Sequence, residues 1–250
     1  MITRIIGIDC ATDPSRVGIA CLDWGGSEPL GVTLPRRDRI PQQVVVELLE
    51  TEHRTLIALD APLGWPRGLA RALPKHLAGQ PIDVPPNLLF RRLTDRFVKD
   101  QLGKQPLDVG ADRIARTAHS AIGLLGGVSV EPIGLAWSRD FEARVAAIEV
   151  YPAGTLVAHG LPSDRYKKPE QRSVRARIVA ELGSRLPMPD DQQAILDSAD
   201  ALDAAICVLA AVDFLEGRAF PPPEPDVARK EGWIWVADPD RVRLSPEIVS

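Results

Sequence analysis

Apolar positions in this chain fall into short solid runs and longer helical stripes, and the runs come first. Arg4-Ile5-Ile6-Gly7-Ile8-Asp9 predicts a buried strand near residues 3–10. Arg16 to Trp24 and Pro29 to Pro35 predict two more strands, separated by the turn signal Gly25-Gly26-Ser27. Links this short make an antiparallel meander. Pro41 suits a first helical position, and Val44, Val45, Leu48 and Leu49 recur at helical spacing behind it. Thr55-Leu56-Ile57-Ala58-Leu59-Asp60 predicts a fourth strand. Because a helix precedes it, this strand is expected to run parallel to a neighbour, most simply the first.

Prolines 74, 81, 85 and 86 cut the next segment into short pieces, while Asn87–Val98 and about Ala111–Leu125 carry helical patterns. The expectation is a largely helical insertion, at about 61–145, over the carboxyl ends of the strands. Ala146 to Pro152 predicts a fifth strand. Ser163 to Leu182 is densely basic, with Arg165, Lys167, Lys168, Arg172, Arg175 and Arg177, and ends in a helix carrying Val174, Ile178 and Leu182. Asp190 to Glu216 predicts one long helix stopped by Gly217. Gly232 to Val236 predicts a terminal edge strand, with a loose tail beyond about residue 237. Together these elements predict an α/β fold in one domain over 1–250: a mixed sheet of three antiparallel strands followed by parallel ones, with flanking helices.

Composition narrows the function by exclusion. A net charge of -4 over 250 residues gives no global basic field, so nucleic acid would have to be met by a locally basic surface. Cys10, Cys21 and Cys207 are scattered and odd in number, which excludes a disulfide framework or a cysteine-bound zinc and suits a reducing compartment. No apolar run is long enough to span a bilayer, and no signal-peptide pattern precedes the first strand; a cytoplasmic location is expected. Walker A and GxGxxG patterns are absent, and His53, His76, His119 and His159 show no ligand spacing.

The acids carry the chemistry. Strands one and four are apolar runs that each close on a carboxylate, Asp9 and Asp60, and parallel pairing would bring both to one edge of the sheet. Packing gives no reason for an acid there, whereas a crevice at the carboxyl ends of strands is where open α/β sheets place ligands. Glu149 interrupts the fifth strand, and a buried glutamate is costly unless paired or metal-bound. On the last helix Asp197, Asp200 and Asp203 recur every third residue, and Asp200 shares a side with Ala204, Cys207 and Ala211. Small residues there let a helix approach the sheet closely, so Asp200 or Asp203 is the fourth candidate. Ionised carboxylates converge only with a compensating charge. All-oxygen ligation suits magnesium or manganese, and a two-metal site serves phosphodiester cleavage. Asp9 is the expected bridging ligand, with Lys168 and Arg172 as candidates to neutralise a scissile phosphate. Arg92 and Asp95, spaced i, i+3, read by default as a surface ion pair.

Four segments come in a telling order: Gly7-Ile8-Asp9, Ala58-Leu59-Asp60-Ala61-Pro62-Leu63-Gly64-Trp65-Pro66, Ile148-Glu149-Val150-Tyr151-Pro152 and Asp200-Ala201-Leu202-Asp203-Ala204. With them the chain resembles, from about residue 3 to 236, the family of predicted nucleases of ribonuclease-H-like fold numbered four-twenty-nine among the domains of unknown function. The resemblance implies a ribonuclease-H-like sheet and an acidic metal site built from Asp9, Asp60, Glu149 and Asp200 or Asp203. It further implies that Arg92 and Asp95, and Lys168 with Arg172 or Arg175, flank that site. The function expected is a magnesium- or manganese-dependent nuclease or related phosphodiesterase. Two alternatives stand beside it. An ATP-binding protein of the actin or sugar-kinase type begins with a similar strand but needs two copies of the fold, and one acid-tipped meander is evident here. A non-catalytic module binding a metal or a partner suits the low charge.

Overall fold

The run Ile5-Ile6-Gly7-Ile8 lies at the centre of a six-stranded mixed sheet, within strand β1 (Thr3–Asp9). The computed structural model describes residues 2–34, 40–49, 52–110 and 112–244. The other strands are β2 (Gly18–Trp24), β3 (Gly31–Thr33), β4 (Arg54–Asp60), β5 (Gly134–Leu135) and β6 (Val145–Glu149). Their order is β3-β2-β1-β4-β6-β5. The meander β1-β2-β3 is antiparallel, while β4 runs parallel to β1, and β6 runs parallel to both β4 and β5. The third strand is shorter than the expected Pro29–Pro35, and Pro35 lies outside the described residues.

Eleven α-helices occur among the described residues: α1 (Pro41–Leu49), α2 (Arg67–Ala72), α3 (Pro86–Leu89), α4 (Leu93–Leu102), α5 (Asp112–Gly127), α6 (Pro152–Ala158), α7 (Arg172–Leu182), α8 (Gln193–Asp197), α9 (Ala199–Leu215), α10 (Pro225–Glu231) and α11 (Pro239–Leu244). Helices α2 to α5 fill the segment between β4 and β6, which also supplies the edge strand β5. Ala111, where the fifth helix was expected to begin, lies outside the described residues.

Strand alternation gives the sheet two apolar faces. Ile5, Leu56, Ala58 and Ile148 pack on one face against α9, whose residues from Ala201 to Phe214 are all buried. Ile6, Ile8, Ile57 and Leu59 pack on the other against α1 and α5. A helix buried all round has no polar stripe to show, so α9 reads as a nearly continuous apolar run.

Three expectations need correction. The predicted helix from Asp190 to Glu216 is two helices, because Ser198 is extended (φ -114°, ψ 122°) and caps α9, its hydroxyl accepting from the Ala201 amide at 3.2 Å. The terminal strand is reduced to isolated bridges, Glu149 with Ile234 and Ala219 with Ala237. The tail expected to be loose continues as α11 to Leu244, with residues 245–250 outside the described residues. No helix among the described residues is long and apolar enough to cross a membrane.

Candidate metal centre

Register builds the site. Asp9 and Asp60 are direct partners at the carboxyl ends of the parallel strands β1 and β4. In parallel neighbours paired residues point to the same face, and by alternation this is the face of Ile5 and Ala58, which α9 covers. Two glycines let that helix come close. A Cβ on Gly7 of β1 would lie 2.3 Å from the Ala204 carbonyl oxygen, and one on Gly18 of β2 would lie 2.0 Å from that of Asp200. The close approach delivers Asp203 to the strand ends. One carboxylate oxygen each from Asp9, Asp60 and Asp203 lie within 4.8 Å of one another.

The surroundings of Asp203 are asymmetric. Its Oδ1 accepts the Tyr166 hydroxyl at 2.6 Å. Its Oδ2 receives no hydrogen bond of acceptable geometry, although the Lys167 ammonium contacts it as an ion pair. That oxygen has no partner among the described residues besides the ammonium, so it is the one that a cation could also approach. Among the described residues Lys167 provides the one ion pair to these three acids. With all three ionised, the cluster sets three negative charges against one ammonium.

That imbalance raises the carboxyl pKa values. Burial pushes Asp9 well above the ordinary carboxylate range, and Asp203 and Asp60 push it further. Burial likewise pushes Asp60 up to about 7, with Lys167 opposing and Asp203 and Glu149 adding to the rise. Asp203 is raised, again first by burial, against the lowering influence of Lys167 and Tyr166. Three carboxylate oxygens at this spacing could hold a metal ion.

Asp200, the other helix candidate, sits in the first turn of α9, 3.9 Å from Arg16 and partly exposed. Its field helps to raise Asp9 and Asp203, but its carboxylate is not part of the group of three. Glu149 lies apart for a reason of register. It pairs with Leu59, one position short of Asp60, so alternation turns it to the opposite face. Its Oε1 accepts Arg92 Nη2 at 2.6 Å, and its Oε2 accepts Arg92 Nη1 at 2.7 Å and the Leu63 amide at 2.9 Å.

Arg92 is not at the surface, where its spacing from Asp95 had placed it. The two side chains are 1% and 0% exposed, and their closest contact is 2.9 Å. Arg92 also reaches the Glu231 carbonyl at 3.2 Å, while the Glu231 carboxylate accepts the Arg67 and Leu93 amides at 2.7 and 2.6 Å. This buried network ties β6, the start of α4 and the end of α10 into one wall. Beside it opens a cavity of about 240 Å³ floored by Asp9 and Asp60, with Pro62, Leu107 and Ile114 on its apolar side and Lys167 at its edge.

The basic candidates separate. Lys168 is exposed. Arg172 pairs with Asp197 at 2.8 Å on the surface. Arg175 is buried, and its guanidinium donates to the carbonyls of Leu196, Tyr166, Lys168 and Pro169. The residue facing the acids is instead Lys167, a position not singled out from the sequence. Tyr166-Lys167-Lys168 offers two adjacent lysines, and only the loop backbone decides which turns inward.

A family described as "Protein of unknown function (DUF429)" matches residues 7–227, a span that contains all three acids. No curated protein matches the chain.

Proposed function

The chain belongs to the DUF429 family, and for this member we propose that Asp9, Asp60 and Asp203 hold magnesium or manganese in a hydrolase of phosphodiester bonds, a nuclease or a close relative. The observation that carries the reading is the convergence of three carboxylates, from two parallel strand ends and a buried helix, two of which, Asp9 and Asp60, line a cavity. The sheet supports a ribonuclease-H-like architecture: an antiparallel meander, then parallel strands, with acids at the ends of β1 and β4. Bound divalent ions supply the positive charge that activates water and offsets charge on the leaving oxygen.

The chain's own residues do the rest. Asp9 sits close to both the strand acid Asp60 and the helix acid Asp203 and would ligate beside either. Tyr166 orients Asp203 through Oδ1 and leaves Oδ2 for a cation. Arg92, committed to Glu149 and Asp95, fixes the cavity wall and is not free to bind substrate phosphate. Pro62, Leu107 and Ile114 line the cavity beside Asp9 and Asp60.

Purified protein incubated with single-stranded, duplex and branched DNA and with RNA, plus magnesium or manganese, is expected to cleave at least one class. Asp9→Asn and Asp203→Asn should each lower the rate by more than roughly a hundredfold, beyond what is typical for residues that only support metal ligands. Cleavage of none of these, or cleavage indifferent to Asp9→Asn, would overturn the reading.

A further inference from the structure

The geometry points to Lys167 as a built-in counter-cation that competes with the divalent ion for Asp203. Its ammonium holds Oδ2 in the metal-free protein and is displaced toward the cavity mouth when the ion binds. The inference rests on the metal-site reading above and adds a means of regulation to it.

Three observations carry it. First, the two occupants need the same atom. Asp203 Oδ1 already accepts the Tyr166 hydroxyl, so Oδ2, the oxygen that Lys167 contacts, is the more open of the two for ligation. Second, the contact is built to be displaced. Asp203 is 1% exposed in its side chain and Lys167 55%, and Oδ2 receives no hydrogen bond of acceptable geometry. Half-exposed lysine pairs are weak, and lysine is a point charge on a flexible stem, free to swing.

Third, the loop that carries Lys167 is fixed on both sides of it. Arg165, the one non-glycine residue of positive φ among the described residues, takes the left-handed conformation at φ 62°. Such a conformation costs about 1–2 kcal/mol in a non-glycine residue and persists where the surroundings enforce it. Here Arg175 enforces it from below, donating to the carbonyls of Tyr166 at 2.8 Å and Lys168 at 2.9 Å. With its neighbours clamped, Lys167 moves by its side chain alone, and the backbone returns it to Asp203 when the ion leaves.

The test is calorimetric titration of manganese into the full chain, wild type and Lys167→Met. Removing the competitor should tighten manganese binding by about tenfold, on the scale of a partly buried ion pair. Unchanged or weaker binding in Lys167→Met overturns the inference and leaves the metal site standing. If neither protein binds manganese, the metal-site reading itself falls. A measurement on the wild type guards against a variant that fails to fold. Acylation of the Lys167 amine, read by mass spectrometry, should speed up severalfold on adding manganese, and an unchanged rate overturns the displacement.

Discussion

At the scale of single residues, what matters is which oxygen of each acid is already taken. Glu149 looks from the sequence like a ligand, an acid in the middle of an apolar strand. The structure gives each of its oxygens to the Arg92 guanidinium, with a backbone amide added, so its charge is met inside the protein. Nothing in the local sequence couples residue 92 to residue 149; the pairing exists only once the helical insertion folds back over the sheet. Arg92 is the residue whose loss should be felt most in stability. Arg92→Met strands two buried carboxylates and should cost on the order of 3–5 kcal/mol, read as a lower denaturant midpoint. Because Arg92 makes no ion pair with Asp9, Asp60 or Asp203, manganese affinity of the folded fraction should stay close to wild type.

At the scale of elements, the sheet was legible and the helices less so. Solid apolar runs ending in Asp9 and Asp60, joined through a helix, are enough to place both acids at one sheet edge, and the register pairs them directly. The choice between Asp200 and Asp203 was not legible, because it turns on where α9 begins. Ser198 starts the helix one residue before Ala199, which puts Asp200 at the exposed first turn and Asp203 a turn deeper, against the strands. Small residues on α9 suggest a close approach, but the decisive spaces are Gly7 and Gly18 on the strands. Gly7→Ala should therefore push α9 off β1, with a cost of about 1–3 kcal/mol typical of overpacking, and weaken manganese binding by moving Asp203. Gly123→Ala, in α5 with open space around the added methyl, should stabilise by about 1 kcal/mol and leave binding unchanged. Equal effects of the two substitutions in thermal melts and titrations would refute this role for the close approach.

At the scale of the whole molecule, the acid cluster is a stability cost that a bound cation would remove. Asp60 has a folded-state pKa of about 7, above its ordinary value of 3.8, so between those values the folded chain holds a proton that the unfolded chain has released. Its contribution favours folding at low pH and is lost as pH rises toward and through 7. Asp9 and Asp203 are shifted in the same direction and add to the trend. A divalent ion at the proposed site would replace those protons, so its binding should tighten as pH rises. The most direct measurement is thermal unfolding of wild type and Asp60→Asn from pH 5 to 8, with and without manganese. The account predicts that metal-free wild type loses stability relative to Asp60→Asn as pH rises, and that manganese at about a hundred times its dissociation constant raises the wild-type midpoint by roughly 5–10 °C at pH 8, and by much less in Asp60→Asn. A wild-type midpoint that manganese leaves unmoved at every pH would contradict it.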